Sequence, residues 1–350
     1  VTLPEAMRAV RVTGFGERPS VVEVPVPVPG PRDALVRVAA TGLCRSDLHA
    51  WHGDDDPVPP YTPGHELAGT VVAVGSDVRR IAVGDRVTTP FVCGCGACDD
   101  CLRGDAQVCR RQQQPGFTYD GSWAEYVVVR DADFNAVTLD DGIPFEAAAL
   151  LGCRFATSFR ALVDRARVHA GQSVVVFGCG GVGLSAVRIA VALGAQVTAV
   201  DVAPAALDLA RESGAEAAVP AAGLDDDALV DAVRDATGGG AHVAVEALGR
   251  AATLAVGIRS LRSGGRLVQV GLLVDDPVVP MGEVIARELA VLGSHGMAAT
   301  DYPRLLDLVR SGALRPEELV ARRIGLDEVP DALLALHEGR APAGVTMIVP

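Results

Sequence analysis

The run Ser173-Val-Val-Val-Phe177 leads directly into Gly178-Cys-Gly-Gly-Val-Gly183, after which apolar residues recur at Val182, Ala186, Ile189 and Leu193. A short continuous apolar run reads as a strand buried on both faces, and the spacing that follows reads as a helix. Such a strand-turn-helix opening commits the chain to crossover connections and hence to parallel pairing. Further strands are expected at Gln196 to Val200, His242 to Ala247 and Arg266 to Gly271, with a helix from Pro204 to Gly214. The fold implied is a doubly wound α/β sheet.

A bare G-x-G-x-x-G is a weak signal, but here it separates a strand from a helix and is followed by Asp201 at the end of the next strand. Gly178, Gly180, Gly181 and Gly183 would let the backbone approach a pyrophosphate, whose charge sits at the helix N-terminus. Asp201 would accept hydrogen bonds from ribose hydroxyls and repel a 2′-phosphate. No arginine lies between Asp201 and Arg211 to reverse that preference. The cofactor expected is NAD rather than NADP.

Residues 8 to 150 have a different texture: short β segments (Ala34 to Ala40, Gly69 to Val74, Tyr126 to Val129) broken by Gly and Pro turns. This pattern suits an irregular barrel. The C-terminal stretch has helical segments at Tyr302 to Ser311 and Val329 to His337, then an apolar strand from Val345 to Val349. It reads as the returning part of the first domain. The organisation expected is 1–154 with 294–350 as one domain, and 155–293 as a dinucleotide-binding domain.

Cys95, Cys98, Cys101 and Cys109 are spaced C-x2-C-x2-C-x7-C in a Gly/Asp-rich loop. Four thiolates complete the tetrahedron of a structural zinc and leave no position for substrate. An iron–sulfur cluster is the rival, but ferredoxin-like runs place the fourth cysteine after three residues and before proline. Here Arg110 follows it, and Cys93 is left over as a non-ligand.

A second set is scattered: Cys44-Arg-Ser-Asp-Leu-His49, Gly64-His65-Glu66 and Gly152-Cys153. Each alone is weak. Together Cys44, His65 and Cys153 make two thiolates and an imidazole, a three-ligand zinc set with a fourth position open, as catalytic sites require. Asp47 could orient the imidazole, and Ser46 and His49 supply groups fit for a proton relay.

On these motifs the sequence resembles the zinc-dependent medium-chain alcohol dehydrogenases from about Met7 to its C-terminus. The resemblance implies a GroES-like irregular β-barrel catalytic domain beside a Rossmann domain. It also implies catalytic zinc on Cys44, His65 and Cys153, Asp47 behind the histidine, and Glu66 as a carboxylate able to approach the metal during ligand exchange. Arg45 matches a pyrophosphate contact, and Thr157, Val182, Val270, Gly271 and Leu272 match positions around the nicotinamide. The stretch from Leu48 to Asp54 resembles the yeast-type ethanol dehydrogenases, which makes Trp51 a candidate wall of the substrate pocket; Phe91 matches another wall position. Ordinary barrel packing is the alternative for both.

The sequence departs from several relatives at Ala206, where they place a lysine near the ribose, and in the final strand, which lacks an arginine used on the pyrophosphate. Looser NAD binding is therefore expected. The activity implied is reversible hydride transfer from a primary or secondary alcohol to NAD, giving an aldehyde or ketone, by a chain holding two zinc ions. Proton release is expected through Ser46, the ribose hydroxyls and His49. A polyol dehydrogenase with Glu66 ligating in place of Cys153 is one rival, and a non-catalytic NAD-binding zinc scaffold another.

The 31 basic residues, all arginine, against 44 acidic ones leave a formal charge of −13, the wrong sign for gathering nucleic acid or an anionic membrane surface. No apolar run reaches the ~18–20 residues of a membrane helix, and the opening residues lack a signal-peptide pattern. A cytoplasmic homodimer or homotetramer acting on a small molecule is the expectation.

Overall fold

The computed structural model describes residues 3–55, 57–273 and 276–350. The chain divides into two compact units, Val1–Ala156 with Gly296–Pro350, and Thr157–His295.

In the second unit six strands form one parallel sheet. Its order is Ala217–Pro220, Gln196–Asp201, Ser173–Phe177, Ala241–Glu246, Leu261–Gln269, Ala290–Gly293. Numbered along the chain this is 3-2-1-4-5-6, the order of dinucleotide-binding sheets, whose ligands bind beyond the strands' carboxyl ends. Every residue of Ser173–Phe177 is buried, as its apolar run requires. Gly178 has φ +90°, and a Cβ on Gly183 would stand 1.7 Å from the Gly178 carbonyl oxygen. The loop can therefore close onto the helix Gly181–Ala192 only with glycine at both positions.

Several elements differ from the sequence expectation for local reasons. The helix from Pro204 stops at Glu212, because Gly214 turns the chain at φ +99°. The strand expected from Arg266 begins at Leu261 and ends at Gln269, because the Val270 and Gly271 amides turn to donate to the Glu246 carbonyl. The strands Ala217–Pro220 and Ala290–Gly293 have no signal in the sequence: both are four-residue edge strands, too short to show a period.

In the first unit the strand Ala34–Leu43 is central. It pairs antiparallel with Leu67–Val74, Tyr126–Val129 and Val345–Ile348, so the C-terminal strand does return to this unit. One apolar cluster includes Val36, Leu67, Val71, Val87 and Val127, and another packs Leu43, Leu48 and Trp51 against Val329 and Leu333. After Phe145–Leu150 the chain widens into a π-helical turn, Leu151–Phe155, which carries Cys153. Among the described residues no helix is long and apolar enough to cross a membrane.

Candidate metal and dinucleotide sites

The four lobe cysteines converge. The short helix Asp99–Leu102 carries Cys101, with Cys98 as its N-cap, and Cys109 closes a 3-10 turn. Sulfur separations are 3.6 Å for Cys98–Cys101 and Cys98–Cys109, and 4.0 Å for Cys95–Cys101. A tetrahedron with ~2.3 Å zinc–sulfur bonds has edges of ~3.8 Å, so the donor set has the right size. Backbone amides of Ala97 and Cys98 draw the Cys95 thiol down to about 6, while burial pushes Cys101 up to about 12. Neighbouring sulfurs cannot all ionise without a cation between them.

The second set is assembled by three separate elements. Cys44 is the N-cap of the helix Arg45–His52, and Asp47 stands in its first turn. Asp47 Oδ2 accepts from the Cys44 amide at 2.9 Å, which gives the C-x-x-D spacing a structural cause. Its Oδ1 accepts from His65 Nδ1 at 3.0 Å and from the Gly64 amide at 3.2 Å. The carboxylate thus fixes the imidazole tautomer and points Nε2 away.

His65 Nε2 is buried and, among the described residues, has no hydrogen-bond partner. The donor atoms of Cys44, His65 and Cys153 lie within 4.8 Å of one another, all three residues buried. The hydrogen bond from Cys153 holds the Cys44 thiol well below its usual range, and the same contact pushes Cys153 well above its own. Burial disfavours a charged His65, yet Asp47 and Cys44 raise it well above the histidine range. An orphaned imidazole nitrogen and two sulfurs sharing one charge call for a cation. Zinc fits both cysteine-containing sets.

Around these ligands, Glu66 is fully buried and faces Arg154 rather than the sulfurs. Arg154 donates from its amide to Oε1 at 3.2 Å, from Nε to Oε1 at 2.8 Å, and from Nη2 to Oε2 and to the Leu43 carbonyl. Burial pushes the Glu66 carboxyl upward, and Arg154 opposes it. Ser46 Oγ lies 3.9 Å from the Cys44 sulfur, and His49 Nδ1 is 3.2 Å from Asp54 on the surface. Phe91 and Phe117 flank the His65 ring, with centroids at 6.1 and 5.4 Å. Trp51 is buried in the barrel core, its indole N–H donates to the Glu17 carbonyl at 2.6 Å, and its ring meets His337.

At the carboxyl ends of the parallel strands, Asp201 accepts from the Cys179 amide at 2.7 Å and the Ala203 amide at 2.9 Å. Its carboxylate is therefore fixed beside the glycine loop. A Cβ on Gly180 would meet nothing, so this part of the loop faces open space that a pyrophosphate could take. Thr157 Oγ1 is buried and has no partner among the described residues, and Leu272 is exposed.

Residues 30–141 match the model of the alcohol dehydrogenase GroES-like domain, and residues 181–311 that of zinc-binding dehydrogenases. An alcohol dehydrogenase of Geobacillus stearothermophilus is 35% identical over 95% of this chain and 96% of its own length. The chain belongs to the zinc-dependent medium-chain alcohol dehydrogenase family. It is an oxidoreductase of the zinc-binding dehydrogenase class. Its relatives are not uniform in substrate: an L-threonine 3-dehydrogenase of Symbiobacterium thermophilum is 33% identical over 99% of both chains. Among solved structures, alcohol dehydrogenase TADH from Thermus sp. ATN1 matches with a TM-score of 0.90 and 33% identity, covering 98% of this chain and 99% of that one. A Sinorhizobium meliloti zinc-binding dehydrogenase bound to NADP matches at 0.87 and 33%, covering 99% and 100%.

Three residues of this dehydrogenase escaped the sequence reading. Arg154 follows a ligand directly, but a lone arginine in a helix signals only a surface charge. Phe117 lies in a loop without periodicity. Glu246 ends an apolar strand and is fully buried. It accepts from the Gly249 amide at 2.9 Å and Thr253 Oγ1 at 2.7 Å, while its carbonyl holds the Val270 and Gly271 amides. An acid closing the apolar run Val243-Ala-Val245 is the sequence signal available for it.

Proposed function

We propose that the chain is an NAD-dependent alcohol dehydrogenase that interconverts a primary or secondary alcohol with its aldehyde or ketone. One observation carries the reading: the partnerless His65 Nε2 beside Cys44 and Cys153, a three-donor set that leaves a fourth position for substrate. Bound there, zinc would act as a Lewis acid on the substrate oxygen, and NAD would supply the hydride acceptor. Cys44, His65 and Cys153 hold the catalytic ion, and Cys95, Cys98, Cys101 and Cys109 the structural one. Asp47 keeps His65 in the ligating tautomer. Ser46 takes the proton from the substrate hydroxyl, and His49, close to solvent with Asp54 beside it, passes it on.

Asp201, with both oxygens oriented by backbone amides, supports recognition of ribose hydroxyls and hence NAD. Gly178, Gly180, Gly181 and Gly183 receive the pyrophosphate, with Arg45 as its cation. Thr157, Val182, Val270, Gly271 and Leu272 would hold the nicotinamide. Phe91 and Phe117 bound the space beside His65 and favour substrates with a compact carbon frame. The polyol reading needs Glu66 as a ligand, and the engagement of its carboxylate by Arg154 weighs against that.

The test is absorbance of reduced nicotinamide when the zinc-loaded protein meets NAD or NADP and a panel of small primary, branched secondary, allylic and benzylic alcohols, polyols and threonine. Turnover of simple alcohols with NAD is the expected result. Turnover confined to polyols or threonine, a clear preference for NADP, or no turnover at all would each overturn the reading.

A further inference from the structure

In the second unit a polar cavity of about 380 Å³ opens at the amino-terminal end of the parallel sheet. It lies at the opposite end of Ser173–Phe177 from the glycine loop, about 13 Å away at ~3.3 Å per residue. Its walls include Arg167, His169, His242, Arg262, Ser263 and Arg266, and none of its lining residues is an aspartate or glutamate. This is anomalous in a chain of net charge −13. Elsewhere in the unit Arg211, Arg259 and Arg287 each pair with a carboxylate, while Arg165 and Arg234 bond to backbone carbonyls. Among the described residues, Arg167, Arg262 and Arg266 have no such pair.

Two of the three guanidinium groups are held in place by neutral partners. Arg262 Nη1 lies 2.7 Å from His242 Nε2, and the ring's other nitrogen lies 2.8 Å from Ser173 Oγ. A guanidinium can only donate, so Nε2 accepts from Arg262. His242 is thus neutral, in keeping with burial and the Arg262 charge, which both lower its affinity for a proton. Arg266 Nη1 donates to the Ala166 carbonyl at 2.9 Å. Arg167 sits in the left-handed backbone region at φ +54°. Three positive groups are gathered around one cavity, and two of them, Arg262 and Arg266, are oriented by an imidazole and a backbone carbonyl rather than by a carboxylate.

We propose that this cavity binds a phosphate-type oxyanion, distinct from the dinucleotide at the other end of the sheet. Planar guanidinium forks match tetrahedral oxyanions through paired hydrogen bonds, and an anion here would relieve the mutual repulsion of the three arginines. The volume exceeds what one phosphate group needs, which leaves room for a small phosphomonoester.

The test is calorimetric titration of the zinc-loaded protein with inorganic phosphate and, separately, with glycerol 2-phosphate, against sodium chloride at matched ionic strength. Saturable binding of the phosphates and none of chloride is expected. It should weaken at least tenfold in Arg262→Gln and in Arg167→Gln, both exposed positions, with zinc content unchanged. Tighter binding of glycerol 2-phosphate than of phosphate identifies a phosphomonoester as the occupant; equal binding identifies phosphate itself. Binding of equal strength in both variants would place the phosphate elsewhere, for instance on the glycine loop, and would overturn the proposal, as would the absence of saturable binding in the wild type.

Discussion

Replacing Arg154 by methionine removes the charge opposite Glu66 while roughly keeping the volume. Both side chains are buried, so the carboxylate has no access to water for compensation. Removing one partner of a buried pair costs about 3–5 kcal/mol, most of it from the charge left behind. The carboxylate can limit that cost by taking up a proton. From its ordinary value of 4.5 to pH 7 is 2.5 units, which sets a ceiling of about 3.4 kcal/mol on the charge penalty. Loss of the bond to the Leu43 carbonyl adds about 1 kcal/mol. Arg154→Met should therefore lose about 3–5 kcal/mol, and Arg154→Met with Glu66→Gln should recover most of it. The sign of the pH dependence follows: without Arg154 the folded state holds a proton on Glu66 that the unfolded chain releases above its ordinary range. The penalty should thus shrink as pH falls, its ceiling dropping by about 1.4 kcal/mol between pH 7 and pH 6. Urea unfolding at fixed free zinc, followed by fluorescence of the buried Trp51 and Trp123 in the same unit, measures this. A loss below about 1 kcal/mol, or a double variant no more stable than the single one, would refute the assignment of Arg154 as the counter-ion of Glu66.

Three further outcomes are expected. Cys98→Ser should reduce zinc by elemental analysis from two ions per chain to one and lower thermal stability, because a closed tetrahedral site contributes to folding. Turnover per surviving catalytic ion should persist, and stable protein with lost turnover would reverse the assignment of the two sites. Asp201→Ala should lower the ratio of kcat/KM for NAD over NADP at least tenfold, and an unchanged ratio would remove the ribose contact. Ser46→Ala should reduce kcat by ~10²-fold with zinc content intact, and His49→Gln should do less, its loss being greatest at low pH. Full activity of Ser46→Ala across pH would mean that the proton leaves the substrate directly to solvent.

Much of this molecule is written in spacing. The strand at 173–177 and its glycine loop follow from an apolar run next to residues that alone permit φ +90° and a 1.7 Å approach. The four-cysteine lobe is equally local, since its ligands lie within fifteen residues of one another. The C-x-x-D run encodes both a ligand and the carboxylate that caps its amide, because three residues is the reach of a side chain across the first helical turn. Local geometry of this kind survives translation into sequence.

What joins distant segments does not. Cys44, His65 and Cys153 could be grouped by chemistry, but only the pairing of Ala34–Leu43 with its neighbours and the π-helical turn at Leu151–Phe155 bring their donors within 4.8 Å. Trp51 reads from its neighbours in sequence as either a pocket wall or barrel packing, and only the return of Val329–His337 brings the apolar cluster that buries it. The Arg154–Glu66 pair spans 88 residues, and the arginine cavity collects residues from two strands and from the segment 166–172 that precedes a third. Burial and charge balance depend on which segments the fold packs together, and neither has a period that a sequence can display.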